Sequence, residues 1–311
     1  MQDRTNDPGF GERYFSETKR MINPDGSFNI IKKGTGFSPR DVFQYLVNIS
    51  WPKFFGIIAA TYLLLNLLFS ALFMMAGPEK IMWAVDKNTM NSYLNIFFFS
   101  VQTFTTIGYG HMYPEGLGPN LIMTVESATG LMSFALATGL LYGRFSRPTA
   151  KILFSQKAII APYKNITSFQ FRIANRKRNM LMEIEAKIML AFVEKDNGQS
   201  VRRYYNLDLE RSYIYFFPLS WTIVHPIEES SPLFGKTTLD LQRLEAEFLI
   251  LIKGFDDTFS QTVHSRFSYR FDEIVWNARF KRAFFIDDNG DIIFDLDNLH
   301  ALETESGSGA D

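Results

Sequence analysis

The stretch FSVQTFTTIGYGHMYPEG, Phe99 to Gly116, sets two threonines before a Gly-Tyr-Gly triplet, with apolar sequence on either side. Glycine takes positive φ without steric cost, so Gly108 and Gly110 let successive carbonyls be aimed to one side of the strand. Four such strands around an axis would form rings of carbonyl oxygens able to replace a cation's water shell. Thr106 would add its hydroxyl oxygen as the innermost ligand. In a soluble protein Gly-Tyr-Gly alone marks a tight turn, so the reading depends on the elements that position it.

From Phe54 to Gly77 no charged residue occurs, and at about 1.5 Å per residue this run can cross a hydrocarbon core of about 30 Å. It follows a polar segment and is too long for a signal peptide, so a transmembrane helix is predicted. A second run, Leu117 to Gly143, carries only Glu126. Between them Ser92 to Phe104, SYLNIFFFSVQTF, is apolar but too short to cross. It predicts a half-helix that enters the bilayer and returns, ending near Thr105 with its carbonyl end favourable to a cation. Non-helical backbone at membrane depth is tolerated only when buried in protein or lining a water-filled cavity. TTIGYG is therefore expected to face an aqueous path.

Lys32, Lys33, Arg40 and Lys53 precede the first span, while Arg144, Arg147 and Lys151 follow the second. This bias predicts cytoplasmic N- and C-termini. The chain of 311 residues has a net charge of −1, which gives no reason to expect nucleic acid as a partner. Cysteine is absent, which suits a reducing compartment and excludes disulfide and thiolate chemistry. Sequons at Asn48 and Asn165 then read as chance matches.

Residues 1–37 are polar and glycine-dotted, with a turn signal at Asn23 to Gly26, and predict a mobile arm without a core. In 38–50, Ser38 can cap, Pro39 can open a helix, and Val42, Leu46 and Ile49 repeat at helical spacing. Beside a span this reads as an interfacial helix, with Trp51 as interface anchor, rather than an ordinary soluble helix. The membrane domain is placed at 51–147, with span 51–77, pore helix 92–105, the TIGYG loop at 106–110 and span 117–145. Beyond Pro148 short alternating segments (SFQFRIA, EIEAKIMLAFVE, VRRYYNLDL, EFLILIKGF, SRFSYRFDEIVW, DIIFDL) predict an antiparallel β-sandwich over 148–302, with a short helix near Thr238 to Glu245. A flexible tail, 303–311, follows.

Span, half-helix, Thr-Ile-Gly-Tyr-Gly and second span resemble, in that order, an inward-rectifier potassium channel of the bacterial KirBac type. The potassium-channel filter is the standard carbonyl-ring example, with valine where Ile107 stands. GRFSRPTAK (Gly143 to Lys151), SWTIVHPIEESSPLFG (Ser220 to Gly235) and SYRFDEIVW (Ser268 to Trp276) extend the resemblance from Pro39 to about Leu302. It implies a homotetramer in the bacterial inner (plasma) membrane, multi-pass, with an immunoglobulin-like cytoplasmic domain prolonging the pore. No cofactor is implied, and K+ is the permeant ligand.

The resemblance implies that Thr106, Ile107, Gly108, Tyr109 and Gly110 form the selectivity filter, with the Tyr109 ring packed behind it. Gly130 matches the bending glycine, Phe134 the cavity position that tunes rectification, and Tyr142 the inner gate, with Thr138 between. These four positions step by four along one helical stripe, which without the resemblance would read as a lipid or packing face. Phe134 replaces the aspartate of strong animal rectifiers, so polyamines or Mg2+ are expected to block weakly. Gln102 stands where many relatives carry glutamate, so the ion pair behind the filter is expected to be missing. Glu126, an acid inside a span, reads either as support for the pore helix or as an attractor of cavity cations. Glu183 and Asp257 match cytoplasmic pore acids or are solvated surface groups. Lys53, Arg144, Arg147 and Lys151 form a girdle expected to bind anionic phospholipids. Ser50-Trp51-Pro52 replaces the arginine-flanked tryptophan of animal relatives, a departure from their phosphoinositide pattern. Gating is expected at the inner helix bundle crossing, driven by the cytoplasmic domain and anionic lipid.

Two rivals fare worse. A channel gated by a Rossmann domain would need G-x-G-x-x-G after Lys151, and none occurs. A membrane-anchored binding or enzymatic domain lacks its motif, because SSPLFGKT at Ser230 to Thr237 misses the first phosphate-loop glycine and there is no GxSxG elbow. His111, His225, His264 and His300 are scattered, without evident metal-ligand spacing.

Overall fold

The computed structural model describes residues 4–5, 7–11, 20–31, 33–34, 39–83, 89–146, 151–177, 179–196 and 198–304. The chain divides into two units, Gly34–Arg147 and Met1–Lys33 with Pro148–Asp311. Ser38, Lys32, Arg147 and the SGSGAD tail lie outside the described residues.

The first unit is helical. Helix α1 spans Pro39–Asn48, α2 spans Trp51–Ala76, α3 spans Thr89–Phe104 and α4 spans Leu117–Phe145. Helices α2 and α4 are long and apolar enough to cross a membrane. Pro52 in the first turn of α2 costs no hydrogen bond there. Helix α2 turns Phe54, Asn66, Phe69, Ser70 and Phe73 inward, and Phe73 meets Phe99 of α3 edge-on at 5.1 Å. That cluster also holds Ile81 and Ile96.

The second unit packs two sheets together. One runs Gln199–Leu207, Leu181–Asp196, Glu247–Asp256, Gln261–Arg270, with Arg4–Thr5 on its edge and Tyr213–Phe216 paired to Leu181–Asp196. The other runs Ser220–Ile227, Ile166–Asn175, Ala158–Tyr163, Ile274–Trp276, with Ile152–Phe154 also on Ile166–Asn175. Alternation decides which face is buried: Ile184, Ala186, Ile188, Leu190 and Phe192 point inward from one strand, Phe169, Phe171 and Ile173 from another. Phe169 stacks on Phe248 across the sheets at 4.1 Å. Helix α5, Thr238–Arg243, starts at a capping box in which Thr237 and Asp240 satisfy each other's backbone amides.

Three expectations need correction. The sandwich is not wholly antiparallel, because Ile274–Trp276 pairs parallel with Ala158–Tyr163. SRFSYRFDEIVW is not one strand; a short turn at Phe271–Glu273 carries the chain from one sheet to the other. The Glu273 carboxylate accepts the Arg270 amide at 3.0 Å and so fixes that turn. Nor is the N-terminal arm without a core. Met21 and Ile22 are buried against Ala191, Tyr204 and Leu249. The Met21 amide donates to Glu247 at 2.8 Å, and Arg20 pairs with Glu273 at 3.1 Å. The predicted Asn23 to Gly26 turn forms, with the Gly26 amide on the Asn23 carbonyl and Gly26 at φ 80°.

His225, in the Ser220–Ile227 strand, is only 3% exposed. Its Nδ1 lies 2.5 Å from the Asp208 carbonyl, which only accepts, so Nδ1 carries the proton and Nε2 accepts from the Ser231 hydroxyl at 2.8 Å. Burial holds its pKa below the ordinary 6.5. The folded state thus binds this proton less readily than the unfolded chain, so the stability it contributes is whole above about pH 6.5 and falls on acidification. The β unit in the full-length protein should lose stability to melting below that pH by up to about 1.4 kcal/mol per pH unit, and the His225→Gln variant should lose this component of the pH slope.

Candidate functional site

The site begins at the end of α3. The Thr106 amide donates to the Thr103 carbonyl at 3.0 Å and the Ile107 amide to the Gln102 carbonyl at 2.9 Å. With Thr106 at φ 60°, this is the paired 5→2 and 6→1 closure of a Schellman C-cap. Glycine ordinarily fills that left-handed position. A β-branched residue there costs about 1–2 kcal/mol, so a threonine held there marks a position where the side chain is wanted.

Beyond the cap φ alternates in sign: positive at Thr106, at Gly108 (54°) and at Gly110 (77°), negative at Ile107 and Tyr109 between them. Such alternation is how an L-chain turns successive carbonyls to one side. Nothing lies within 4 Å of where a Cβ would stand on Gly108 or Gly110, so backbone conformation, not space, requires glycine there. The Gly108 amide reaches the same Gln102 carbonyl at 3.4 Å. All five residues from Thr106 to Gly110 are exposed in the single chain, and the Tyr109 ring, 78% exposed, does not pack behind the loop within this chain.

Helix α4 supports α3 at two places one turn apart. Gly130 is buried, and a Cβ there would sit 2.0 Å from the Phe104 carbonyl oxygen. Glu126, 0% exposed, hydrogen-bonds to the Ser100 hydroxyl, which also reaches the Asn66 carbonyl of α2 at 3.1 Å. Spacing alone could not reveal these contacts, since Asn66 and Ser100 carry no motif. Phe134, Thr138 and Tyr142 continue the Gly130 stripe and are exposed.

The expected lipid girdle divides. Arg144 is engaged within its own unit: its guanidinium donates to the Leu46 and Ile49 carbonyls at 2.6 and 2.8 Å, just where α1 ends. It lies 4.4 Å from the centre of the Trp51 ring and 4.5 Å from that of Phe54. A cation on the last carbonyls of a helix is favourable for both. Lys53 and Lys151 are exposed. In the β unit, Glu183 is exposed at φ 52°, where the pairing of Leu181–Asp196 with Glu247–Asp256 slips register, a bulge that re-aims its side chain. Asp257 is exposed on the turn next to that end of the sheet. Among the described residues no cluster of His, Cys, Asp and Glu could hold a metal ion.

Two membrane-length apolar helices joined to a two-sheet domain define a membrane protein of the two-span class. Residues 57–147 match the ion channel family model, and residues 152–307 match that of the inward rectifier potassium channel C-terminal domain. The chain is 36% identical over 287 residues to inward rectifier potassium channel Kirbac3.1 of Paramagnetospirillum magnetotacticum, covering 91% of this chain and 95% of that one. It is 24% identical to human G protein-activated inward rectifier potassium channel 3, covering 87% and 74% of the two chains. The same identity links it to ATP-sensitive inward rectifier potassium channel 12 of Gallus gallus, over 87% and 68%. The chain belongs to the inward-rectifier potassium channel family, whose members are channels and not enzymes.

Two glycines of α4, Gly139 beside open space and Gly130 against backbone, should separate cleanly. Gly139 has nothing within 4 Å of its notional Cβ, so Gly139→Ala should hold or raise thermal stability by about 0.5–1 kcal/mol. Gly130→Ala must push α3 away and should cost about 1–3 kcal/mol, read as the melting temperature of the purified protein in detergent.

Proposed function

We propose that this chain forms a potassium-selective pore as a homotetramer in the bacterial inner membrane, with Thr106, Ile107, Gly108, Tyr109 and Gly110 as its filter. The observation that carries the reading is the alternating φ sign from Thr106 to Gly110 directly after the cap of α3. A free edge of carbonyls suits a dehydrated cation and little else. Helix α3 enters the membrane and returns, and K+ is the permeant ligand rather than a bound cofactor. The exposure of Tyr109 within one chain is what a ring packed between four subunits would show before assembly.

The stripe of Phe134, Thr138 and Tyr142 lines the cavity and inner gate below Gly130. Without an acid at Phe134, polyamines and Mg2+ block weakly and rectification is mild. Glu183 and Asp257 line the cytoplasmic pore and concentrate cations there. Both termini are cytoplasmic, and the β domain with anionic lipid governs the inner gate. Lys53 and Lys151, joined by Arg147, meet the lipid headgroups, while Arg144 is engaged with α1 and contributes less.

Liposomes holding the purified protein should take up rubidium or potassium over sodium, with block by barium, and Gly108→Ala should abolish uptake. Absence of selective uptake in any lipid mixture would overturn the reading. Phe134→Asp should strengthen spermine block at least tenfold, measured as the concentration giving half inhibition of outward current.

A further inference from the structure

Asn66, Ser100 and Glu126 come from three different helices and are all 0% exposed. The Ser100 hydroxyl has one proton and three acceptors in reach: the Asn66 carbonyl at 3.1 Å, the Asn66 Oδ1 at 3.4 Å and the Glu126 carboxyl. The Asn66 amide nitrogen donates to the Tyr62 carbonyl at 2.8 Å, and it is the amide oxygen, an acceptor, that faces Ser100. Were Glu126 a carboxylate, Ser100 would donate to it, and Ser100 and the Asn66 carbonyl would face each other as two acceptors. The second carboxyl oxygen, Oε2, is buried without a partner among the described residues. A bare half-carboxylate at that depth is far costlier than a neutral carboxyl oxygen.

A proton on Glu126 removes both conflicts. The chain then runs in one direction, from the Glu126 hydroxyl to Ser100 Oγ and from Ser100 to the Asn66 carbonyl. We propose that neutral Glu126 is a positioning residue for ion selectivity, donating to Ser100 so that α2, α3 and α4 are tied together one turn behind the filter. The inference rests on the filter reading above. Ser100 sits one turn before Phe104, and Glu126 one turn before Gly130, so the polar tie and the glycine contact share a register and fix α3 along its axis as well as sideways. Gln102, whose carbonyl carries the Ile107 and Gly108 amides, lies between these two anchor points. The tie thus holds α3 as an ion pair at position 102 would, and Gln102 has no charge to make one.

The test is the rubidium-over-sodium uptake ratio of the full-length protein in liposomes, for wild type, Glu126→Gln, Glu126→Ala and Ser100→Ala. Glutamine can donate its amide proton to Ser100 and should keep the ratio within about twofold of wild type. Glu126→Ala and Ser100→Ala should lower it at least tenfold while the channel still conducts. Should Glu126→Ala fail to assemble on size exclusion, Ser100→Ala, which removes one oxygen, decides alone. Selectivity unchanged in Ser100→Ala, or lost in Glu126→Gln as in alanine, would overturn the proposal. A wild type without selective uptake would instead overturn the filter reading.

Discussion

A backbone whose φ alternates in sign from residue to residue has no ladder of its own to hold it. From Thr106 to Gly110 the chain makes neither helix nor strand, and the amides of Ile107 and Gly108 both rest on the single carbonyl of Gln102. Free carbonyls are affordable only where water or a cation meets them. The loop's shape therefore follows from where the last turn of α3 stands. Helices α2 and α4 both bear on that turn: Tyr62 of α2 meets the Phe104 ring edge-on at 5.6 Å, and Gly130 of α4 lies against the Phe104 carbonyl.

The polar groups of the helical unit follow from the same solvent logic. In hydrocarbon an unpartnered polar group costs several kcal/mol, so each must find its partner inside the protein. Ser70 uses the Leu67 carbonyl of its own helix, while Asn66, Ser100 and Glu126 join across helices. Arg144 takes the carbonyls that α1 leaves open at its end, which makes a charge near the membrane surface a joint between two helices. Apolar contact between helices gains little where the solvent is itself apolar, so these few directed bonds and the close glycine contact carry the specificity of packing.

What could be read in advance was what short-range chemistry determines. Both spans, the TTIGYG loop and the Asn23 to Gly26 turn were legible because hydropathy, glycine and turn residues act over a few positions. Three features were not legible because their partners lie far along the chain. Met21 and Ile22 sit in a polar stretch and look solvated until Glu247, Tyr204 and Leu249 are brought beside them. Ser268 to Trp276 reads as a strand, and two of the groups that hold its break, the Ala246 carbonyl on the Phe271 amide and the Arg20 guanidinium on Glu273, lie elsewhere in the chain. Arg144 reads as a free headgroup ligand because nothing in its own neighbourhood announces the open carbonyls of α1. The role of Glu126 fell between the two: an acid in a span signals function, but its partners on α2 and α3 carry no signal of their own.

The place of Gly130 constrains how α4 can move. A glycine inside a helix is commonly taken as a hinge, yet α4 runs unbroken from Leu117 to Phe145, and its glycine at 130 is pressed against backbone. Its lost helix propensity, about 0.5–1 kcal/mol relative to alanine, is offset by a contact no larger residue could make. With Glu126 hydrogen-bonded to Ser100 one turn earlier, α4 meets α3 at two successive turns. A bend beyond Gly130, in the stretch carrying Phe134, Thr138 and Tyr142, would leave both contacts intact. Gly139 lies in that stretch with open space around it, so bending there meets no backbone. Gly130 and Gly139 thus differ in kind: one packs against the backbone of α3, and the other has open space beside it in the single chain.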